Sequence, residues 1–559
     1  MKRKALATFF IACGCLAMVF GGTNVRADEE FTIDAATGYS EPHSMDPTLT
    51  TGGDQYEIIV HMEEGLMKFA PTTEAVGTNP EEMAAEIVPG QAESYEYDED
   101  TLTYTFHLRD DIVWNDGTPV TADQFVYAWQ RLVDPNTASS NGSLLNAIVK
   151  NAAAINAGEM DPSELGVEAP DDKTLVVTLE NSCAYFLELT CSSQLMPLRQ
   201  DVIEGNDTWT EAGTYCANGP YVMTEWVHDS YITLEKNEKY YDYENLGPDK
   251  ITFHLSDSQT SNLAAYQSGD YDFISGVPAD QIEALEASGD LFVNPRCNCT
   301  YLYLNVDSMT DWRVRAAVLL AIDRDNIVEN VTQDGSTAAI SLIPEAITTS
   351  EGESWPDAVG EVMYSWLQEQ YPDYDLSDYV GRCELAQQLY QEAVDDGWNP
   401  DTSMDYQYNT SDTNKAIAEA VQSDLSNVLG INVTLNNIDS AGYTQTISQG
   451  GFYIARLGYG LSYNDAIGYF NLFGSNGSFE YSGWSNEKYD ELVAQAHTMK
   501  AGTERDKVLE EIEAIMFTDE GFSICPLYDG SYTYCMDSTL KGVFYPAIEG
   551  VTIFSYAEK

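Results

Sequence analysis

Hydrophobic residues along this chain follow two periods. In "LTYTFHLR" (102–109), Leu102, Tyr104, Phe106 and Leu108 fall on every second position, which predicts a strand with one buried face. "KTLVVTLE" (173–180) repeats that pattern with Leu175, Val177 and Leu179. In "WRVRAAVLLAIDRDNIV" (312–328) the period changes. Val314, Ala317, Val318, Ala321 and Ile322 follow the i, i+3, i+4 spacing of an amphipathic helix. A second helix is predicted over 415–430, with Ile417, Val421 and Leu425 inward and Gly430 placed to stop it. Ile431, Val433 and Leu435 then alternate as a strand. Two further helices are predicted over 486–497 (Tyr489, Leu492, Val493, Ala496) and 504–517 (Val508, Leu509, Ile512, Ile515). Helices and strands alternate over most of the length, so the class is α/β or α+β with mixed sheets. No internal repeat and no low-complexity linker interrupts them, which predicts lobes that interleave.

Length and charge narrow the function. A chain of 559 residues exceeds one ordinary domain and predicts two to four lobes. Hydrophobic content of 43% supplies full cores. The net charge is −65, and residues 1–27 hold four basic and no acidic side chains, so the chain without them carries −69. Such a surface repels nucleic acid and anionic lipid. The first thirty residues run from a basic start through an apolar stretch, Ala5 to Gly22, to Val25-Arg26-Ala27. This is the pattern of an export signal cleaved after Ala27. A lipoprotein cleaved before Cys13 or Cys15 is the alternative, with "FIAC" at 10–13 as its recognition site. Eight cysteines remain beyond that segment, an even number that fits disulfides in an exported chain. Their spacing suggests local clips, Cys183 with Cys191 and Cys525 with Cys535.

Catalytic patterns are absent. None of the six histidines stands in metal-binding spacing, and His61-Met62-Glu63 lacks the Pro-Cys-x-x-Cys partner of a zinc deaminase. His107 sits in a strand pattern as a packed residue. Ser462 has Gly460 before it, but Asn464 replaces the glycine of a nucleophile elbow. No phosphate-cradling glycine motif occurs, and no cofactor is implied. With 36 tyrosines and 9 tryptophans and no reactive centre, the chain reads as a binding protein. A secreted hydrolase using Ser462 is the rival.

One stretch is more specific. "YTFHLRDDIVWNDGTPVTADQFVYAWQRLVDP" (104–135) resembles the signature of the oligopeptide- and dipeptide-binding receptors of ABC importers. The matching residues are Phe106, Leu108, Arg109, Trp114, Asp116, Gly117, Pro119, Thr121, Ala122, Asp123, Phe125, Trp129 and Arg131. These read as scaffold, with Thr121 capping a helix. Segments 218–242, 314–328 and 408–435 also resemble the family in order, and the likeness covers nearly all of 31–559.

The resemblance implies a periplasmic-binding-protein-like fold (type II, three-lobed). Lobe I would comprise 28–72, 200–298 and 527–559, lobe II 73–199, and lobe III 299–526, which closes over the ligand. It implies a peptide or other small solute as ligand, ABC importer permease subunits as partners, and a monomer. The implied binding residues are Thr51, Gly52 and Gly53, which would pair with ligand backbone, then Arg456, Tyr459, Ser462, Asp465 and Tyr528. Ser462 stands where such receptors carry the aspartate that takes a peptide's α-ammonium, and Asp465 is the nearest other acid. Ser440 falls where an aromatic pocket residue is common. The departure at Ser462 leaves a second reading, a receptor for a non-peptide or amine-lacking solute.

Overall fold

The computed structural model describes residues 30–50, 52–71, 85–461, 463–475, 477–548 and 550–559. The segment expected to be an export signal, with Cys13 and Cys15, lies outside them, as do Thr51 and Ser462.

The strand predicted at 102–109 forms over Thr103–Leu108, with Tyr104, Phe106 and Leu108 buried. Leu102 precedes it in a left-handed turn (φ 53°). His107 is exposed on the outer face, not packed, because it alternates with the buried residues. Together with Ala92–Asp98, Thr174–Thr178 and Val167–Asp171 this strand makes a four-stranded antiparallel sheet. Those strands fall inside the stretch expected as lobe II.

A second sheet has eleven strands. Its path runs Asn432–Ile438, Ser403–Asn409, Ile454–Gly460, Leu291–Leu304, Ile524–Met536, Phe273–Ser275, Thr32–Ala36, Lys250–His254, Tyr231–Lys236, Tyr221–Val227, with Thr337–Ala338 added at the side. Parallel and antiparallel pairs mix within it. Two long strands, Leu291–Leu304 and Ile524–Met536, join the two halves. Their register slips between Pro295 and Cys299, where proline cannot donate to the ladder and the extra residues bulge out. That slip marks a bend between the halves.

Burial follows the same division. One core joins Ile33 and Ile251 with Phe106, Phe125, Trp129 and Leu175, and with Tyr532 to Ala557. A second is built from Cys297 to Tyr528. The signature motif is scaffold within the first. Thr121 caps the helix Ala122–Val133, where Gln124 Oε1 accepts from Thr121 N–H and from Trp114 Nε1–H, both at 3.0 Å. Arg131 donates twice to Asp46, at 2.8 and 2.6 Å, tying the helix to the 3-10 turn Pro47–Leu49. Trp129 and Phe125 are fully buried, each contributing roughly 1.5–3 kcal/mol by leaving water.

In the second core, Asp412–Leu429 ends at Gly430 (φ 70°), and Glu487–Thr498 and Thr503–Met516 form where expected. The helix at 312 differs from its prediction. It stops at Ala321, where Ile322 turns extended, and Val314 to Ala321 are all buried, so beyond its half-buried first two residues it is interior all round and not amphipathic. Arg315 is hidden within it because its guanidinium donates to the carbonyls of Met309 and Gly521. Cys183, Cys525 and Cys535 are free thiols, so neither expected clip forms. Cys525 and Cys535 lie on one strand, about 33 Å apart at some 3.3 Å per residue, far beyond disulfide reach.

Candidate functional site

Strand Ile454–Gly460 pairs with both Ser403–Asn409 and Leu291–Leu304. Side chains alternate between its faces. Arg456 and Gly458 share one face with Thr300, which stands opposite Gly458, and with Tyr528, which stands opposite Thr300 on the next strand. Tyr406, opposite Ile454, is on this face too. The sheet register therefore gathers Arg456, Thr300, Tyr406 and Tyr528.

The polar groups here are under-used. Arg456 Nη1 lies 3.4 Å from Asn409 Oδ1, and its Nη2 3.4 Å from Thr300 Oγ1. Its Nε is buried without a partner among the described residues, and so is the Tyr406 hydroxyl. Burial pushes the Tyr406 phenol far up, while the nearby Arg456 charge pulls it back. Arg315 and Arg324 show the contrast, since backbone carbonyls take up their guanidinium groups. Gly458 keeps this face open, because a Cβ there would come within 3.2 Å of Thr300 Oγ1 and 3.6 Å of Arg456 Nη2. A guanidinium with neutral, distant partners is suited to an arriving carboxylate.

Three of the expected site residues are placed differently. Tyr459 is three positions from Arg456 and so faces the other way. Its ring packs on Phe479 (5.4 Å between centroids) and edge-on to Tyr469 (6.0 Å), as part of the second core. Asp465 is not a free acid. Its carboxylate pairs with Arg505 at 2.8 and 3.1 Å and accepts the Ile467 N–H, with both side chains buried. Gly52 is the N-cap of helix Gly53–Met62, and its N–H donates to Gln55 Oε1 instead of pointing to a ligand. Gly53 is needed because a Cβ would stand 2.3 Å from the Tyr39 hydroxyl. The same segment is held from the first core, since Ser139 Oγ donates to the Thr48 carbonyl and Asn141 Nδ2 to that of Thr50, both at 2.6 Å. The side chain of Ser440, at the start of helix Ser440–Ile447, is outside the described residues.

Sequence reasoning missed Thr300, Tyr406 and Asn409. Alternation in "MDYQYN" (404–409) signals a strand, but its neighbour is known only from the sheet order. Beyond strand Ile454–Gly460, Asn464 and Asp465 line a cavity of about 400 Å³ together with Tyr185 and Glu188. Among the described residues no cluster could hold a metal ion, and no helix is long and apolar enough to cross a membrane.

The model of the bacterial extracellular solute-binding proteins, family 5, matches residues 86–481. The chain belongs to this family. Its members are periplasmic or extracellular binding proteins and not enzymes. Oligopeptide-binding protein OppA of Bacillus subtilis is 31% identical, with 98% of this chain and 97% of that protein covered. The probable deoxycholate-binding periplasmic protein YgiS of Escherichia coli is also 31% identical, over 88% and 86%. Haemophilus influenzae OppA, solved in complex with the peptide RPPGFSPFR, superposes with a TM-score of 0.74 at 28% identity, covering 95% and 99%. An unliganded open form of the murein tripeptide-binding protein MppA gives 0.75 at 29%, covering 95% and 97%.

Proposed function

We propose that this family member is the ligand-capturing subunit of an ABC importer, taking oligopeptides between its lobes and handing them to the membrane permease. The relatives named for peptide binding support the peptide. The observation that carries the site is Arg456, a guanidinium without an ion-pair partner among the described residues of a chain with 91 acids. It receives the ligand's carboxylate, with Thr300, Tyr406 and Tyr528 beside it. The rest of the peptide is held by main-chain bonds and bridging water, which accept varied side chains. Lobe III, 299–526, closes on lobes I and II by bending at the strand slip near Pro295. Residues 1–27 direct export, with Cys13 or Cys15 as the alternative lipid anchor.

Asp465 favours a second reading. Because Arg505 already occupies it, the described residues offer no free carboxylate on this loop for a peptide amine, and a ligand lacking an amine fits equally well. The experiment is direct capture of peptide mixtures, followed by mass spectrometry of what is retained. Peptides with a free C-terminus should be retained, and their C-terminal amides should bind at least tenfold more weakly. Retention of a bile acid in preference to any peptide would select the second reading. Retention of amides and free acids alike would remove Arg456 from its role.

A further inference from the structure

Outside the bent strands the two halves meet at a buried ring stack, and at the surface Lys500 pairs with Glu99. Tyr185 precedes the short helix Phe186–Leu189, and Tyr463 lies on the loop after strand Ile454–Gly460. Their rings stack face to face, 3.9 Å between centroids and 8° between planes. Both tyrosines pack against both cores. One position on, the Asn464 N–H donates to Glu188 Oε2 at 2.7 Å.

The loop side of this contact is built in advance. Asn464 Oδ1 accepts from Thr348 N–H and its Nδ2 donates to Thr348 Oγ1, each at 2.8 Å. Asp465 is locked to Arg505. Those partners all belong to the second core, so the loop keeps its shape whatever the first core does. A cavity of about 400 Å³, lined by Tyr185, Glu188, Asn464 and Asp465 among others, adjoins the stack and the Asn464–Glu188 hydrogen bond.

We propose that Tyr185 and Glu188 form a catch on loop 463–465 that holds the receptor closed without ligand, so that closure has a ligand-independent component. A ligand then shifts an equilibrium that already contains the closed state.

The catch also senses protons. Glu188 faces Asp465, Arg505 and Asp506 across the seam, with Tyr185, Tyr463, Cys183, Cys297 and His497 around them. Burial pushes its carboxyl up to about 7, aided by the Asp465 charge and opposed by the Asn464 N–H. Opening returns it to water and to its ordinary value. The closed form therefore holds a proton between pH 4.5 and 7 that the open form releases. Closure strengthens as pH falls through 7 and weakens as it rises, by up to about tenfold per pH unit within that window.

The test uses ligand-free full-length protein. Hydrogen exchange at the Asn464 amide and small-angle scattering are read from pH 5 to 8. The wild type should protect that amide at least tenfold more than Tyr463→Ala, which should also expand. Tyr185→Leu should behave like Tyr463→Ala while still compacting with captured peptides, which excludes misfolding. Glu188→Gln should keep the protection and lose its pH dependence. Equal protection in the wild type and both tyrosine variants would overturn the proposal, as would an expanded wild type at every pH.

Discussion

The halves of this receptor are joined in two ways, and the contrast separates permanent from reversible connection. At the bent strands the joint is covalent and backbone-bonded. Leu291–Leu304 and Ile524–Met536 run through both halves, and Cys299, Leu302 and Cys525 are fully buried beside the slip. At loop 463–465 the joint is one ring stack and one hydrogen bond over a cavity. The first can bend without parting. The second can part without unfolding either core, and so it suits a closure that ligand adjusts.

Substitutions break or sharpen this contrast. The largest effect is expected for Asp465→Ala, which strands the buried Arg505 cation at a cost of about 3–5 kcal/mol in denaturant unfolding. Asp465→Leu with Arg505→Met should recover most of it. Neither change should alter the ratio of affinities for free and N-acetylated peptides, since Arg505 already occupies the Asp465 carboxylate. Leu302→Ala empties a core position on the bent strand and should cost about 2–5 kcal/mol, with the unfolding of the second core shifting most. Arg456→Gln should weaken capture of free-acid peptides by about tenfold to a hundredfold, or 1.5–3 kcal/mol, and leave stability within 1 kcal/mol. Tyr463→Ala should remove the stack, about 1 kcal/mol beyond the apolar area that the ring buries, and open the seam.

A pH series separates the two joints. Near the bend, fully buried Glu57 is pushed up to about 8 by burial, against the Thr552 N–H and the Arg296 charge. Its folded value exceeds the unfolded one, so its stabilising contribution is complete below about pH 4.5 and is lost as pH rises through 8. Glu57→Gln should flatten the decline in unfolding free energy between pH 6 and 8.5 without changing the pH response of the seam. Glu188→Gln should do the reverse.

Much of the fold was legible in sequence, because one-sided patterns such as Tyr104-Phe106-Leu108 and Ile417-Val421-Leu425 report burial directly. The helix at 312 was misjudged because Val314, Ala317, Val318, Ala321 and Ile322 mark only one face, and only the tertiary carbonyls of Met309 and Gly521 explain the burial of Arg315 on another. Arg456 and Tyr528, both expected from sequence, share a face of the sheet. The direction of Tyr459 and the charge balance of Asp465 were not legible, because strand alternation and a partner forty residues away decide them. Thr300 and Tyr406 reach Arg456 only through sheet order. The cysteine pairing failed because the nine residues between Cys525 and Cys535 form an extended strand and not a loop.

The central claim is that Arg456 receives the ligand's carboxylate on the face shared with Thr300, Tyr406 and Tyr528. The structure of the protein with a captured free-acid peptide tests it most directly. The account predicts a ligand carboxylate oxygen about 2.7–2.9 Å from the Arg456 guanidinium. A ligand whose acid group lies elsewhere, with Arg456 still facing only Thr300 and Asn409, would contradict it.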